Sequence, residues 1–266
     1  MPQAVHALSI LVRNAGAPTS PGQSATHRHD EMEPNVLSMP LSPVRTRPPI
    51  EAVWTDGKLE PAARRSTDWT TMVKRGVDLI GAGVGLCTLL PVLLGCALAV
   101  KLTSRGPVLF RQMRVGKNGA AFACLKFRTM RVGAHAQQEL LRGASTQDGP
   151  AFKVPNDPRV TPIGRLLRKF SLDELPQLIN VLAGDMSLVG PRPPIPSEVE
   201  KYSWWQRRRS CVKPGLTCVW QVYGRNRVSF KRWVEMDLYY IDNWSLWLDL
   251  KLIAHTVRVV LRGTGM

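Results

Sequence analysis

Residues 76–100 are apolar throughout, interrupted by one charge, Asp78, and one proline, Pro91. About 20 such residues suffice to cross the hydrocarbon of a bilayer as a helix. The chain must therefore either bury one very long helix or place it in a membrane. Lys74 and Arg75 precede the run, and Lys101, Arg105, Arg111, Arg114 and Lys117 follow it. Basic residues mark the cytoplasmic side, so both ends are expected there. Pro91 has no backbone N–H to donate and is the natural bend point. These features predict a helix that enters the membrane and returns. A single kinked transmembrane helix is the competing reading of the same residues.

Charge narrows the partners. The chain has 36 Lys and Arg against 20 Asp and Glu, a formal charge of +16. Such a balance seeks a polyanion: nucleic acid, anionic lipid or a phosphorylated substrate. Residues 101–131 hold eight basic side chains and no acidic one. Anionic headgroups attract such a stretch at about 1 kcal/mol per charge. The five cysteines form no C-x-x-C pair, so neither a zinc cluster nor a disulfide framework is expected, and a reducing compartment fits. Residues 1–68 hold nine of the 21 prolines and no sustained hydrophobic period. They are expected to form a disordered, proline-rich arm.

Local patterns place the remaining elements. Residues 108–115 and 121–127 read as a hairpin around Gly116-Lys117-Asn118-Gly119. Residues 161–170 read as a short helix bearing Arg165, Arg168 and Lys169. Leu175, Leu178, Ile179 and Leu182 follow a helical period that Gly184 closes. Residues 216–222 read as a strand after Lys213-Pro214-Gly215. Ser245 is expected to cap a last helix, 246–261, whose Lys251, His255, Arg258 and Arg262 form a basic stripe opposite a broad apolar face. Such a helix suits either a membrane interface or a core with one wet face. Trp204, Trp205, Trp233 and Trp244 favour the interface.

The chemistry-bearing segment is SLDELPQLINVLAGDMSLVGPRP, residues 171–193. Asp173 and Glu174 are adjacent carboxylates at the head of a helical pattern, and an ionised carboxylate can attack phosphorus. Arg192, between two prolines, can hold phosphate oxygens at low entropic cost. Ser171-x-x-Glu174 also matches a capping box, although Pro176 would then occupy a position where a backbone donor is wanted. Either way the carboxylates stand at the positive end of a helix, which should favour their ionised form. Lys126 and Arg128 flank Phe127, and strand alternation puts both charges on one face, as a phosphate clamp needs. Arg168, and Arg225 with Arg227 on a turn, add further cations. Any one of these arginines taken alone reads as a surface charge rather than a ligand. Together with the acidic pair they point to phosphate chemistry at a bilayer surface.

The segments KFRTM (126–130), RVTPIGRLLRKFSLDELPQLINVLAGDMSLVGPRP (159–193) and KPGLTCVWQVYGRN (213–226) resemble the bacterial sugar transferases, the monotopic polyprenyl-phosphate phosphoglycosyl transferases. The resemblance runs from about residue 74 to the C-terminus. It implies a mainly α fold with a small β-hairpin. A re-entrant membrane helix at 69–103 would follow the arm at 1–68. A compact catalytic domain at 104–266 would lie on the cytoplasmic face of the bacterial inner membrane, with interfacial amphipathic helices. The implied reaction moves a sugar-1-phosphate from a nucleotide sugar, usually a UDP-sugar, to polyprenyl phosphate such as undecaprenyl phosphate. This step begins exopolysaccharide, capsule or O-antigen assembly. Asp173 matches the nucleophile that would carry a covalent sugar-phosphate, and Glu174 its partner. Both are candidate ligands for Mg2+, the family's cofactor. Lys126, Arg128, Arg168, Arg192 and Arg225 are the expected substrate and phosphate contacts. Anionic lipid is the expected surface partner, and nucleic acid is not expected. Cys218 departs from the pattern, which usually has Gly after Thr217. Two other functions compete, a membrane-tethered nucleic-acid-binding protein and a non-catalytic membrane scaffold. The first leaves the acidic pair unexplained and shows no familiar binding motif.

Overall fold

The computed structural model describes residues 54–55, 58–59 and 68–263, apart from 138, 147, 153 and 225–227. The expected arm lies almost wholly outside the described residues. Within it, Trp54–Thr55 (β1) and Lys58–Leu59 (β2) pair antiparallel.

The apolar run forms α1 (Asp68–Thr103), a 36-residue helix with Pro91 inside it. At 1.5 Å per residue its path is about 54 Å, well beyond the ~30 Å of bilayer hydrocarbon. Only 11% of its apolar window is buried in the protein. Both flanks are tied down. Lys74 Nζ donates to Asp249 Oδ2 at 2.6 Å and to the Val189 carbonyl at 3.2 Å. Asp78, the one charge in the run, is buried and accepts from Ser187 Oγ and the Leu188 N–H, each at 2.9 Å. Ala82 and Leu86 then join a core with Leu178, Val181 and Met186. At the other flank, Cys96 and Val100 pack with Phe127 and Leu167. Between these anchors, Cys87, Thr88, Leu90, Pro91 and Val92 are exposed. Thr88 Oγ1 donates back to the Val84 and Gly85 carbonyls at 2.8 and 3.3 Å, a bond that often bends a helix.

The hairpin forms as the alternation predicts. β3 (Leu109–Val115) pairs antiparallel with β4 (Ala121–Phe127), in register from Leu109↔Phe127 to Val115↔Ala121. Alternation buries Phe122 and Cys124 in one core, and Phe127, on the other face, packs with Cys96, Val100 and Leu167. α2 (Pro162–Lys169) starts at Thr161, whose hydroxyl accepts from the Gly164 N–H at 3.0 Å, with Pro162 where no donor is missed. α3 (Gln177–Ala183) ends at Gly184, whose φ of 95° suits glycine. Asn180 pins α3 to β4, accepting from the Leu125 N–H at 2.9 Å and donating to the Ala123 carbonyl at 2.8 Å.

β5 (Ser187–Val189) follows, then two single turns, α4 (Pro196–Val199) and α5 (Trp204–Arg207). β6 (Gly215–Thr217) pairs parallel with β5. A Cβ on Gly215 would lie 2.0 Å from the Gly190 nitrogen, so only glycine permits this approach. The expected strand at 216–222 stops at Thr217, and Val219–Tyr223 is helical (α6). α7 (Phe230–Asp242) and α8 (Leu246–Leu261) complete the domain, and Ser245 caps α8 as its sequence predicts. Val189, Val219, Met236, Tyr240 and Leu252 join β5, α6, α7 and α8 in one core, each such side chain contributing roughly 1.5–3 kcal/mol. The fold is mostly helical with small two-stranded sheets.

α8 corrects the expected arrangement. Its basic stripe does not oppose its exposed apolar residues. Leu248, Asp249, Leu252, Ile253 and Thr256 turn one face toward the core, β5 and β6, and the exposed residues lie on the remaining face. There Trp247, Leu250, Val257 and Leu261 are exposed beside Lys251, Arg258 and Arg262. At 100° per residue these form two adjoining strips, one apolar and one basic. Trp233 and Trp244 are half-buried. They pack against the core, and Trp244 Nε1 donates to Asp249 at 3.0 Å.

Candidate active site

The acidic pair lies one step ahead of α3, on a 3-10 turn (Leu172–Glu174). Leu175 and Pro176 separate it from the first residue of α3. The capping box is not formed: Ser171 makes no side-chain cap hydrogen bond and adopts φ 54°, a left-handed conformation rare for a residue other than glycine. The turn leaves Asp173 buried and Glu174 partly buried.

Their partners differ sharply. Glu174 Oε1 accepts from Lys126 Nζ at 2.6 Å and from Arg192 Nη1 at 3.0 Å. Gln221 Nε2 faces Oε2 at 3.4 Å. Burial pushes the Glu174 carboxyl up, but the two cations and their hydrogen bonds outweigh it and hold the group well below the usual carboxylate range. Asp173 accepts no hydrogen bond from any described residue. Burial, and then the Glu174 charge, push it up against the pull of Lys126, Arg168 and Arg192. The expectation that a helix end would favour its ionised form is therefore reversed. Desolvation and a like charge dominate a group that stands short of α3.

Arg192 is held by its backbone. Pro191, Arg192, Pro193 and Pro194 contain a single N–H, that of Arg192. All four carbonyls accept from outside: Pro191 from the Gly215 N–H at 2.9 Å, Arg192 from Arg209 Nη2 at 3.3 Å, Pro193 from Arg114 Nη1 at 2.7 Å and Pro194 from the Val115 N–H at 2.9 Å. The turn is thus fixed by β3, β6 and the segment after α5.

The structure brings Lys126, Arg168 and Arg192 to the carboxylate pair. Arg168 Nε donates to Thr129 Oγ1 at 3.0 Å, and the Asp173 charge acts on its guanidinium against the effect of burial. Arg128 is placed elsewhere. Its Nη2 donates to the Ser104 carbonyl and hydroxyl, each at 2.8 Å, beyond the last turn of α1. Carbonyls left unpaired at a helix end attract a cation, and this draws Arg128 away from the clamp with Lys126 that alternation predicts. Arg225 lies outside the described residues. Pro91 is exposed in the second half of α1. The sequence reading missed Gln221, Arg114 and Arg209. Gln221 was findable, because it lies in the quoted segment KPGLTCVWQVYGRN. Cys218 Sγ contacts Gln221 Oε1 at 3.0 Å and so supports the amide that faces Glu174.

No cluster of three or more His, Cys, Asp or Glu forms among the described residues. Mg2+ does not require one, since it binds through one or two carboxylates and substrate phosphates. Asp173 has free oxygen lone pairs, and Glu174 Oε2 has only the long Gln221 contact. The pair suits that mode of binding.

The geometry defines, among the described residues, a mostly helical protein with one helix long and apolar enough to cross a bilayer and a carboxylate pair set among cations. A model of the bacterial sugar transferase family matches residues 69–263, and the chain belongs to that family. Similar proteins include "Galactosyl transferase CpsE" of Streptococcus agalactiae, 46% identical over 73% of this chain and 43% of that protein. "Undecaprenyl-phosphate galactose phosphotransferase" of Salmonella typhimurium is 40% identical over 76% of this chain and 43% of its own. "Exopolysaccharide production protein ExoY" of Rhizobium meliloti is 42% identical over 73% of this chain and 88% of its own. The chain thus spans less than half the length of the first two relatives.

Proposed function

We propose that this chain is a phosphoglycosyl transferase that moves a sugar-1-phosphate from a nucleotide sugar to undecaprenyl phosphate, at the start of exopolysaccharide or capsule assembly. The observation that carries this reading is the division of labour in the acidic pair. Glu174 is held by Lys126 and Arg192, whereas Asp173 stands unbonded beside it with three cations in range. That is the arrangement a carboxylate nucleophile needs at a diphosphate. A relative named undecaprenyl-phosphate galactose phosphotransferase supports the substrate class.

In this reading an ionised Asp173 oxygen attacks the phosphorus that bears the sugar. A P–O bond forms, and the P–O bond to the nucleoside monophosphate breaks, leaving an aspartyl sugar-phosphate. The phosphate oxygen of the lipid then attacks the same phosphorus. The Asp173 carboxylate is released and the lipid diphosphate sugar forms. Lys126, Arg168 and Arg192 counter the charge on the phosphoryl oxygens. Mg2+, held by Asp173 and Glu174 with the substrate phosphates, would neutralise the diphosphate and improve its leaving group.

The same reading places α1 as a re-entrant helix with both ends at the cytoplasmic face. Both flanks are anchored to one domain while residues 87–92, around Pro91, project from it. A helix crossing the bilayer would carry one flank away from that domain. The mixed face of α8 would lie in the interface, its apolar strip in the acyl boundary and its basic strip among anionic headgroups. The test is a screen of nucleotide sugars against undecaprenyl phosphate, reading release of nucleoside monophosphate. Release that depends on both substrates supports the reading. Silence with every donor contradicts it and favours a scaffold.

A further inference from the structure

Arg209 and Asp237 form an ion pair of 2.7 Å with side chains only 1% exposed each. Such a pair is a weak device for stability. Desolvating two charges costs about as much as their attraction returns, and apolar residues of equal volume often do as well. The placement of this pair suggests another role. Arg209 Nη2 donates to the carbonyl of Arg192 at 3.3 Å, and Arg192 Nη1 donates to Glu174 at 3.0 Å. Arg209 Nη1 is fixed separately by the Tyr202 hydroxyl at 2.9 Å. A second path joins the same two arginines. Arg209 lies over the Trp233 ring at 5.2 Å, Trp233 contacts Trp220 at 4.2 Å between centroids, and Arg192 lies over Trp220 at 6.0 Å.

We propose that Arg209 and Asp237 are positioning residues for the transfer reaction: Asp237 compensates the buried charge of the Arg209 guanidinium without a well-aligned hydrogen bond, and Arg209 fixes the Arg192 backbone so that its side chain stands on Glu174. The inference rests on the phosphoglycosyl transferase reading. Neither residue needs to touch substrate. Arg209 is the donor to the one carbonyl of the proline turn that belongs to Arg192 itself. Arg114 serves the next carbonyl in the same way. Asp237 keeps Arg209 from being an uncompensated buried charge, and this charge pairing allows an arginine to serve as a structural pin there.

The full-length protein, in the donor and acceptor assay above, tests this with a mutant cycle. The variants are Arg209→Gln with Asp237→Asn, which removes both charges and shortens the Arg209 side chain, then Arg192→Ala, and then all three changes together. The double variant is expected to lose about tenfold in kcat, with donor KM and unfolding midpoint close to wild type, because misplacement of a site group slows chemistry more than it weakens binding. In the Arg192→Ala background the same double change should lower kcat no further. Unchanged kcat in the double variant, or an equal loss in both backgrounds, overturns the proposal. If the double variant does not fold, Arg209→Lys replaces it. Its ammonium keeps a charge against Asp237 but cannot reproduce the planar fork that also reaches Tyr202 and Arg192. It should show the same dependence on Arg192, and a Lys variant with full kcat overturns the pin. A wild type silent with every donor contradicts the enzymatic reading and this inference with it.

Discussion

Asp173 and Glu174 share a peptide bond but not an environment: Glu174 is bonded to two cations, and Asp173 accepts from no described residue. Their acidities are pushed in opposite directions as a result. This asymmetry distinguishes the two roles in the proposed reaction and generates the predictions that follow.

Glu174 is expected to act through its anchors. Lys126→Ala and Arg192→Ala should each lower turnover by about 10²–10³, the usual effect of removing one charged stabiliser from a preorganised site. Gln221→Ala should cost about tenfold, because its 3.4 Å contact is long for a hydrogen bond. Nucleoside monophosphate release by the purified variants gives these ratios. A Gln221 effect larger than that of Lys126 would reverse the assigned order.

Stability should respond to the two carboxylates with opposite sign. The folded pKa of Asp173 lies above its unfolded value. Its contribution is therefore fully present below the unfolded pKa and is lost as pH rises through the folded one. Glu174 is depressed, so its contribution is present above its unfolded pKa and is lost as pH falls through the folded one. At neutral pH, Asp173→Asn should raise the unfolding midpoint and Glu174→Gln should lower it. Thermal unfolding of both variants decides this, and shifts of the same sign would contradict the assigned environments.

The acid limb of turnover follows the same logic. Only ionised Asp173 can attack, and its proton is held more tightly than that of a free aspartate. Arg168→Ala removes a cation that favours the ionised form, so the acid limb should move to higher pH. A profile of kcat against pH for both proteins reads the shift. A move to lower pH would show that another group controls the limb.

Much of this site was legible in the sequence because its parts are local. Asp173, Glu174 and Arg192 lie within one segment, and Lys126 sits on a strand whose alternation is plain. Arg128 misled because alternation describes a strand and not what lies beyond its end, where the free carbonyls at the close of α1 draw the guanidinium. Arg209 and Asp237 were invisible because their significance lies in contacts distant in sequence. Residues 216–222 read as one strand after the Lys213-Pro214-Gly215 turn, and Val219–Tyr223 instead forms a helix packed against α7 and α8. α1 was legible in length and composition. Its anchoring through Asp78 and Lys74 was not, because the partners lie more than a hundred residues away.

Topology gives a further test. If α1 re-enters, cysteines placed near residues 65 and 117 should both resist an impermeant label applied outside intact cells, in a background without the five native cysteines. Labelling at one flank alone would show a helix that crosses the membrane.

The outer face of α8 should read lipid charge. A fluorophore near Trp247 should shift with anionic lipid in liposomes, and Lys251→Glu, Arg258→Glu and Arg262→Glu together should abolish that dependence. Equal responses from both proteins would contradict the interfacial placement of the basic strip.

The central claim is that Asp173 carries the sugar phosphate. Intact-protein mass spectrometry, after incubation with a competent nucleotide sugar and without lipid acceptor, tests it most directly. The wild type should gain the mass of one sugar phosphate, localised by peptide mapping to Asp173 and discharged on addition of undecaprenyl phosphate. The Asp173→Asn protein should gain none. An active wild type that gains no mass, or an Asn variant that still gains it, would contradict the account.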